Sequence, residues 1–198
     1  MPFIRTIPPA EAEGPVQEMY EQARGRYGYV PNWAQVFSLR PQVRDGWVAL
    51  LTSITANLPV RTYELATLAA ARGLKSSYCS LAHASVLANQ VFDAAAVASI
   101  AEGSAEAPLT EGERAMMAFV ERLVRGADQI TAADVEVLRS HGYSDAEIFD
   151  IVAAACARCF FSTLLDALGV QADASYRELD PALRQALTVG RPIAEASS

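Results

Sequence analysis

The stretch KSSYCSLAH, residues 75–83, contains one of the three cysteines and one of the two histidines of the chain. Cys79 and His83 are four residues apart, so on a helix both side chains project from the same face. A histidine in that position can hydrogen-bond a thiol, accept its proton or stabilise its thiolate. The spacing therefore indicates thiol chemistry, with simple burial of a small cysteine as the alternative.

The helix that begins at Ser76 or Ser77 decides how reactive this cysteine is. With Ser76 at the N-cap, Cys79 falls in the first turn, where unpaired backbone N–H groups and the helix dipole favour a thiolate. Glu64 lies on the preceding antiparallel helix, and a short turn brings it near the same face. A carboxylate beside an imidazole raises its basicity and fixes its tautomer. With the hydroxyl of Tyr78 added, the candidate catalytic residues are Cys79, His83, Glu64 and Tyr78.

The same residue types raise the alternative of a metal site. Glu64, Cys79 and His83 are all ligand types for zinc. Their spacing matches no recognisable zinc pattern, so no metal ion and no other cofactor is expected. Arg72, at the end of the helix that carries Glu64, is interpreted as a helix cap rather than as an anion ligand.

The composition is typical of a soluble helical protein. The chain has 198 residues and a formal net charge of −7, and 52% of its residues are hydrophobic. No basic cluster exceeds a few residues, which argues against nucleic acid and anionic membranes as partners. No segment has the roughly 20 apolar residues that span a bilayer, no signal peptide is apparent, and three cysteines make no disulfide framework. We expect a cytoplasmic protein whose cysteines remain thiols.

Apolar residues recur at helical spacing along most of the chain and strand signals are weak, so an all-α fold is predicted. Helices are predicted over 15–26, 32–37, 41–54, 60–72, 76–89 and 145–168, with another after Asp93. Capping patterns mark helix starts at Thr110, Thr131 and Ser144, and Asn32 is expected to cap its helix. We interpret 1–198 as one domain, with N-terminal helices (1–58), an active-site helical hairpin region (59–105), a second helical half (109–190) and a mobile tail (191–198).

Two alanine-rich segments share a frame 83 residues apart, ELATLAAAR from Glu64 and EIFDIVAAA from Glu147. Continuing the frame pairs three residues of the first segment with three of the second: Ser76 with Cys159, Cys79 with Ser162 and His83 with Asp166. An ancient duplication that left two pseudo-repeated halves explains this echo. A chance likeness between two amphipathic helices explains it equally well.

Other conspicuous residues are assigned structural roles. His141 lies in the last turn of a predicted helix and is interpreted as capping that end rather than as catalytic. Trp33, Phe37 and Trp47 recur at helical spacing and are expected in the core or in a subunit contact. They can also line an apolar pocket over Cys79.

These residues resemble the AhpD-like, carboxymuconolactone decarboxylase family, and specifically its peroxidase-related branch. That branch carries a glutamate, eleven residues, C-x-x-C, three residues and a histidine, often with a tyrosine before the second cysteine. The residues that match this pattern in register are Glu64, Tyr78, Cys79 and His83. Further segments that resemble the family are GYVPN (28–32), LTEGERAMMAFVERL (109–123), ITAADVEVLRSHGYSDAEIFDIV (130–152) and DALGV (166–170). The resemblance covers most of the chain and implies an AhpD-like helical bundle.

One position departs from the family pattern, because Ser76 stands where the family has its first cysteine. In members with both thiols, the resemblance implies a pair that cycles between dithiol and disulfide while alkyl hydroperoxides are reduced. Glutamate and histidine serve there as a proton relay. A serine hydroxyl cannot form that disulfide, so the dithiol cycle cannot be carried over intact.

The resemblance implies an antioxidant peroxidase that reduces small organic hydroperoxides through Cys79, with His83 as base and Glu64 as relay. An external thiol resolves the sulfenic acid, or another cysteine does. Cys156 and Cys159 lie within an alanine-rich helix and are interpreted as small core residues instead. The alternatives are a non-redox lyase or isomerase that uses Glu64 and His83 as acid and base, and a non-catalytic member. The resemblance also implies a homo-oligomer.

Overall fold

The computed structural model describes residues 2–196, and within that range the chain forms helices and no strand. The α-helices are α1 (Gly14–Tyr27), α2 (Asn32–Phe37), α3 (Pro41–Thr55), α4 (Val60–Gly73), α5 (Ser77–Gln90), α6 (Ala94–Glu102), α7 (Glu111–Arg125), α8 (Ala132–Ser140), α9 (Asp145–Ala167) and α10 (Pro181–Leu187). The prediction of an all-α fold is confirmed. Helix α10 is an addition to the predicted set, and Asp180 caps it by accepting from Ala182 N–H at 2.9 Å.

Helix α4 lies at the centre of the bundle, where it packs against α5, α7 and α9. Nine of its 14 residues are buried. Small side chains let the neighbouring helices approach closely, and a Cβ added at Gly73 would lie 2.6 Å from a methyl group of Val124. Because so much of α4 faces inward, Glu64 on this helix is buried with the core.

Capping explains several helix starts. Thr110 with Glu113 and Ser144 with Glu147 form full capping boxes. In each, the hydroxyl of the N-cap residue accepts from the backbone N–H of the glutamate, and the glutamate carboxylate accepts from the backbone N–H of the N-cap residue. Asn32 behaves differently from its predicted role, since it is the first residue of α2 and not its cap. Its side-chain amide donates to Gln171 O at 3.1 Å instead.

A tight turn joins α4 to α5. Ser76 N–H donates to Ala71 O at 2.8 Å and Lys75 N–H donates to Arg72 O at 2.9 Å, which is a Schellman ending. Lys75 occupies the left-handed position that glycine usually takes, with φ 56°. The turn makes Cys79 the third residue of α5.

The two alanine-rich segments, which align with an offset of 83 residues, do not adopt equivalent structures. The first segment runs from α4 through the turn into α5, whereas the second lies within the single helix α9. Lys75, with its positive φ, falls in that frame over Arg158 in the middle of α9. The residues beyond the turn are therefore not equivalent, and the pairing of Cys79 with Ser162 is wrong.

The C-terminal segment, which includes most of the tail that was expected to be mobile, forms hydrogen bonds to the rest of the protein. Gly190 N–H donates to Ser77 Oγ at 2.7 Å, at the start of α5. Ala194 N–H donates to Ala172 O at 2.9 Å. Residues 197–198 of the expected tail lie outside the described residues.

The contact of Gly190 with the turn leads to a first testable prediction. A Cβ at this position would lie 1.9 Å from Lys75 O. We expect Gly190→Ala to lower the free energy of unfolding by about 2 kcal/mol, because the backbone of one segment must move. Urea denaturation measures the change. Gly25→Ala is the matched control, since a Cβ there meets nothing within 4 Å, and an equal loss in both variants would contradict the close contact.

Helix α9 is apolar along most of its length. An 18-residue stretch has a mean hydropathy of 1.8, enough by length and composition to cross a membrane, and half of it is buried inside the protein, as core helices are. Phe149, Cys156 and Phe160 are exposed along one stripe of this helix. The interpretation of Cys156 as a core residue is therefore wrong, and Cys159 is only half-buried.

Candidate active site

Five buried side chains from three helices form the candidate site. Helix α4 supplies Tyr63 and Glu64, α5 supplies Cys79 and His83, and α9 supplies Arg158. A chain of contacts links them in the order Glu64, His83, Tyr63, Arg158 and Cys79. Three of the four predicted catalytic residues thus belong to one cluster.

His83 and Glu64 are joined directly. The imidazole Nδ1 and a carboxylate oxygen are 2.6 Å apart, and because a carboxylate only accepts, we assign the proton to Nδ1. Burial lowers the pKa of His83 below 6.5, the positive charge of Arg158 lowers it further, and Glu64 opposes both effects. The ring is therefore neutral at pH 7, and its Nε2 carries the lone pair that can accept a proton.

Cys79 is paired with Arg158 rather than with His83. A guanidinium nitrogen of Arg158 donates to Cys79 Sγ at 3.6 Å, and a second nitrogen donates to Tyr63 Oη at 3.4 Å. Among residues 2–196 the sulfur has no hydrogen bond to the imidazole of His83. A cation beside a sulfur favours the anionic form, whereas burial of the sulfur opposes it.

A stacked pair of aromatic rings lies beside the guanidinium. The central carbon of Arg158 lies 5.7 Å from the ring centre of Trp47 and 5.4 Å from that of Phe161. The two rings stack on each other at 4.4 Å. Phe161 also contacts Trp33 and Phe37, at 6.0 and 5.6 Å. Of the three aromatic residues expected over Cys79, Trp47 contacts its arginine partner, whereas Trp33 and Phe37 pack on Phe161.

Tyr78, the fourth predicted catalytic residue, takes part in a different interaction. Its hydroxyl donates to the carboxylate of Asp173 and accepts from Trp33 N–H at 3.4 Å. Asp173 also accepts from Asn32 N–H at 2.7 Å. These hydrogen bonds connect the start of α2 to the segment after α9. Burial raises the pKa of Tyr78 well above its usual value, so the phenol keeps its proton.

Ser76 occupies the N-cap position of α5, as predicted, yet its side chain makes no capping hydrogen bond. The hydroxyl is fully buried and, among the described residues, has no hydrogen-bond partner of standard geometry. The expected role of Ser76 as a side-chain cap is therefore wrong. Its position at the start of α5, three residues before Cys79, agrees with the prediction.

Arg158 and Tyr63 are site residues that the sequence analysis did not single out. Arg158 lies inside the CARC motif and is the only basic residue of the 23 in α9. A lone cation on an apolar helix indicates a buried partner, since burial of an isolated charge is costly. That signal was present in the sequence, but nothing local identifies Cys79 as the partner.

The cysteines and the alternative of a metal site are linked, because thiols are metal ligands. All three cysteines are free thiols. Within residues 2–196, no group of three histidine, cysteine or acidic side chains is arranged to hold a metal ion. The triad of Glu64, Cys79 and His83 that raised the alternative is therefore not such a group.

Comparison with solved structures finds proteins of the same fold. The AhpD core of an uncharacterized peroxidase-related protein from Ralstonia eutropha JMP134 superposes with a TM-score of 0.78 at 19% identity, covering 88% of this chain and 94% of that one. An uncharacterized peroxidase-related protein from Silicibacter sp. TM1040 gives 0.72 at 22% identity, with 89% and 92% covered.

A third similar structure extends the range of activities found on this fold. It is a cysteine-to-alanine variant of the debrominase Bmp8 in complex with 2,3,4-tribromopyrrole, with a TM-score of 0.71 at 17% identity, covering 86% of this chain and 90% of that one. No protein-family model and no curated protein sequence matches the chain. The comparisons confirm the AhpD-like fold, and they show that it hosts activities other than peroxide reduction.

Proposed function

We propose that this protein is an AhpD-like, peroxidase-related oxidoreductase that reduces small organic hydroperoxides through Cys79. The observation that carries the proposal is the contact between Cys79 Sγ and the Arg158 guanidinium, in the same buried cluster as the His83–Glu64 pair. The AhpD-like fold and the glutamate, cysteine and histidine in family register support it further.

In the first half-reaction the Cys79 thiolate attacks the terminal oxygen of the hydroperoxide. An S–O bond forms, the O–O bond breaks, and sulfur is oxidised to a sulfenic acid while the hydroperoxide is reduced to an alcohol. His83, neutral at pH 7, takes the thiol proton at Nε2 through a bridging water, because no hydrogen bond joins its ring to the sulfur, and returns it to the departing alkoxide. Glu64 holds the Nδ1 proton and stabilises the imidazolium that forms in between.

In the second half-reaction an external thiol resolves the sulfenic acid. The first thiol forms a mixed disulfide with Cys79 and releases water, and a second thiol releases the free Cys79 together with an external disulfide. Ser76 cannot resolve, and Cys156 is exposed on the outer stripe of α9. The dependence on a thiol reductant suits the cytoplasm.

Trapping of the sulfenic acid tests the proposal. The protein is treated with cumene hydroperoxide in the presence of dimedone, and the label at each cysteine is measured by mass spectrometry. We expect labelling of Cys79 at least about tenfold faster than that of Cys156, the exposed free thiol of the same chain. A rate at Cys79 no greater than that at Cys156 would overturn the proposal.

Restoring the missing cysteine should add a disulfide to the cycle. In Ser76→Cys the two thiols occupy the N-cap and the third residue of α5, which is the C-x-x-C spacing of redox-active dithiols. After hydroperoxide treatment we expect this variant to lose two thiols per chain, by thiol titration, with no dimedone label at Cys79. Ser80→Cys is the matched control, since Ser80 is also buried with an unpaired hydroxyl. Persistence of the label in Ser76→Cys would contradict the prediction.

A lyase or isomerase reaction is the second candidate function. It is favoured by the direct His83–Glu64 hydrogen bond at 2.6 Å, which forms independently of the sulfur. In this alternative the pair serves as general acid and base, and Cys79 contributes only packing. Substitution of Cys79 distinguishes the candidates, because acid–base turnover survives the loss of the thiol and peroxide reduction does not.

We also propose that the chain forms a homo-oligomer through α3 and α9, which pack together. Val43 and Leu50 on α3 and Phe149 and Phe160 on α9 are exposed, and apolar patches of this kind mark protein interfaces. Light scattering should show Phe149→Asp shifted to a smaller species. Val137→Asp, at an exposed apolar site on α8, should leave the mass unchanged, and a wild-type monomer would contradict this expectation.

A further inference from the structure

Arg158 is a buried cation without an acidic partner. Its side chain is 4% exposed, and no carboxylate of the described residues lies within ion-pair distance of it. Its three contacts are a thiol, a phenol and a pair of aromatic rings. Its Nε is buried with no hydrogen-bond partner in that part of the chain. A guanidinium in this position leaves a donor and a full positive charge uncompensated.

Other arginines of the protein show how such a group is normally satisfied. Arg61 holds Glu113 with two nitrogens, at 2.5 and 3.0 Å. Arg114 donates to the backbone carbonyls of the loop that precedes α7. Arg72 is partly buried and donates to Ala186 O at 2.9 Å. Arg158 has neither a carboxylate nor a carbonyl, so its environment differs in kind.

The neighbours of Arg158 do not supply the missing negative charge. Glu64 is the acid of the cluster, and its carboxylate is engaged by His83. Burial raises the pKa of Tyr63, so this residue remains a neutral phenol. Cys79 contacts the guanidinium through its sulfur, and the sulfenic acid formed in the proposed cycle is neutral. Within residues 2–196 no group therefore keeps a negative charge beside Arg158 throughout the cycle, and a bound anion fits the guanidinium as its counter-ion.

We propose that Arg158 is the binding group of an anion subsite beside Cys79, and that its ligand is the carboxylate of a compact organic acid. A guanidinium binds carboxylates through two parallel N–H donors, and the unpaired Nε provides one of them. Trp47, which is half-buried, borders the guanidinium and gives the body of the ligand an apolar neighbour. This inference rests on the proposed function and gives its substrate class, a hydroperoxide that also carries a carboxylate.

The contact distances limit the size of this substrate. The same guanidinium touches Cys79 Sγ at 3.6 Å, so a carboxylate on Arg158 places the reactive oxygen of a short molecule near the sulfur. Holding the two reacting groups together in this way is worth several orders of magnitude in rate for well-oriented pairs, roughly 10⁵ M or more as an effective concentration. Neutral hydroperoxides such as cumene hydroperoxide lack that anchor, and so react more slowly in this scheme.

Two alkylating reagents that differ in charge test the subsite. Iodoacetate carries a carboxylate and iodoacetamide is its neutral counterpart. The same thiolate attacks the methylene carbon of either reagent and displaces iodide. The ratio of their rates therefore cancels the ionisation of the thiol and reports only the neighbouring charge. We expect the iodoacetate-to-iodoacetamide ratio to be about tenfold higher at Cys79 than at the exposed Cys156 of the same chain.

Variants assign the effect to Arg158. In Arg158→Met the ratio at Cys79 should fall to that at Cys156, and in Arg158→Lys it should stay raised because the charge remains. Arg72→Met is the matched control, a partly buried arginine bound to a backbone carbonyl, and should leave the ratio unchanged. Equal ratios at the two cysteines of the wild-type protein would overturn the proposal.

A binding measurement decides the matter if Cys79 resists both reagents. Benzoate and benzyl alcohol share an aromatic body and differ in charge, and a ligand of the folded state raises the melting temperature. We expect benzoate alone to raise the Tm of the wild type, and Arg158→Met to abolish the shift. Equal shifts in both proteins, or none in either, overturn the subsite. If Cys79 forms a sulfenic acid but shows no preference for anions, the peroxidase proposal holds and the subsite does not. If Cys79 prefers anions but forms no sulfenic acid, the subsite holds and the peroxidase proposal does not.

Discussion

Cys79→Ser is expected to abolish hydroperoxide reduction, with turnover reduced by about 10³-fold or more. A serine hydroxyl at this position is far too weakly acidic to supply the nucleophile, even with the Arg158 guanidinium in contact. The measurement is the loss of cumene hydroperoxide with excess dithiothreitol as the external thiol. Because Cys79 is buried at 2% exposure, the change from sulfur to oxygen also leaves a small gap, so the folded fraction is checked by circular dichroism.

The two other cysteines provide the controls. Cys156→Ser and Cys159→Ser should keep turnover within about twofold of the wild type, since exposed or half-buried thiols on α9 are tolerant positions. A large loss in Cys159→Ser alone would identify that residue as the resolving thiol. Turnover that survives in Cys79→Ser would contradict the thiol mechanism and favour the acid–base alternative.

The sequence predicts the position of Cys79 because local rules fix it. Pro41, Pro59 and the capping boxes mark helix starts, and the ends of α4 and α5 fall within one residue of those predicted. Helical periodicity then places Cys79 and His83 on α5 and Glu64 on α4. A tight turn joins these two packed helices, and Glu64 lies beside His83 as the spacing suggested. The pairing of Cys79 with His83 is not formed, because the sulfur contacts Arg158.

Residues that meet across the bundle were beyond the reach of the same reasoning. Arg158 and Cys79 are 79 positions apart, and periodicity shows only that α9 is apolar nearly all round. Which of its faces packs against α4 depends on how every helix is arranged. The hydrogen bond of Tyr78 could not be predicted for a similar reason, because its partner Asp173 lies 95 positions away in an irregular segment. Sequence patterns locate elements and their faces, and partners across the core require the fold.

The surroundings of Ser76 bear on the proposed return of a cysteine to this position. Ser76 is fully buried and its hydroxyl lacks a partner of standard geometry. Burial raises the pKa of the Asp166 carboxylate and the Ser76 hydroxyl lowers it, so the two groups lie close together, but the hydroxyl does not cap α5. A thiol is a weaker hydrogen-bonding group and loses less there. The environment therefore still suits sulfur, which is why we expect Ser76→Cys to be tolerated.

Glu64→Gln is expected to lower hydroperoxide turnover by about 10²-fold, the usual contribution of acid–base assistance. Glu64 is the neighbour that raises the pKa of His83 against burial and against Arg158. Without that carboxylate the imidazole becomes a weaker base, so it takes the thiol proton less readily. The amide oxygen of glutamine can still accept from Nδ1–H, so the ring stays oriented and the loss reports basicity rather than position.

The pH dependence of the activity should shift in a defined direction in Glu64→Gln. His83 acts as a base only when neutral, so activity falls as the pH drops through the pKa of the folded protein, which lies below 6.5. Removing Glu64 lowers that pKa further, and the acid limb of the rate profile should move to lower pH in Glu64→Gln. A limb that does not move, or that moves upward, would show that His83 is not the base.

Stability follows the same linkage. A histidine whose pKa is depressed by folding stabilises the native state fully above 6.5, and this contribution is lost as the pH falls below that value, because only the unfolded chain then takes up the proton. Urea denaturation at about pH 7.5 and about pH 5.5 should therefore show a larger loss for the wild type than for His83→Gln. His141→Gln, at the exposed end of α8, should retain the wild-type loss. If His83→Gln lost as much stability as the wild type, the buried imidazole would be protonated in the folded protein, and the proton transfer assigned to its Nε2 could not occur.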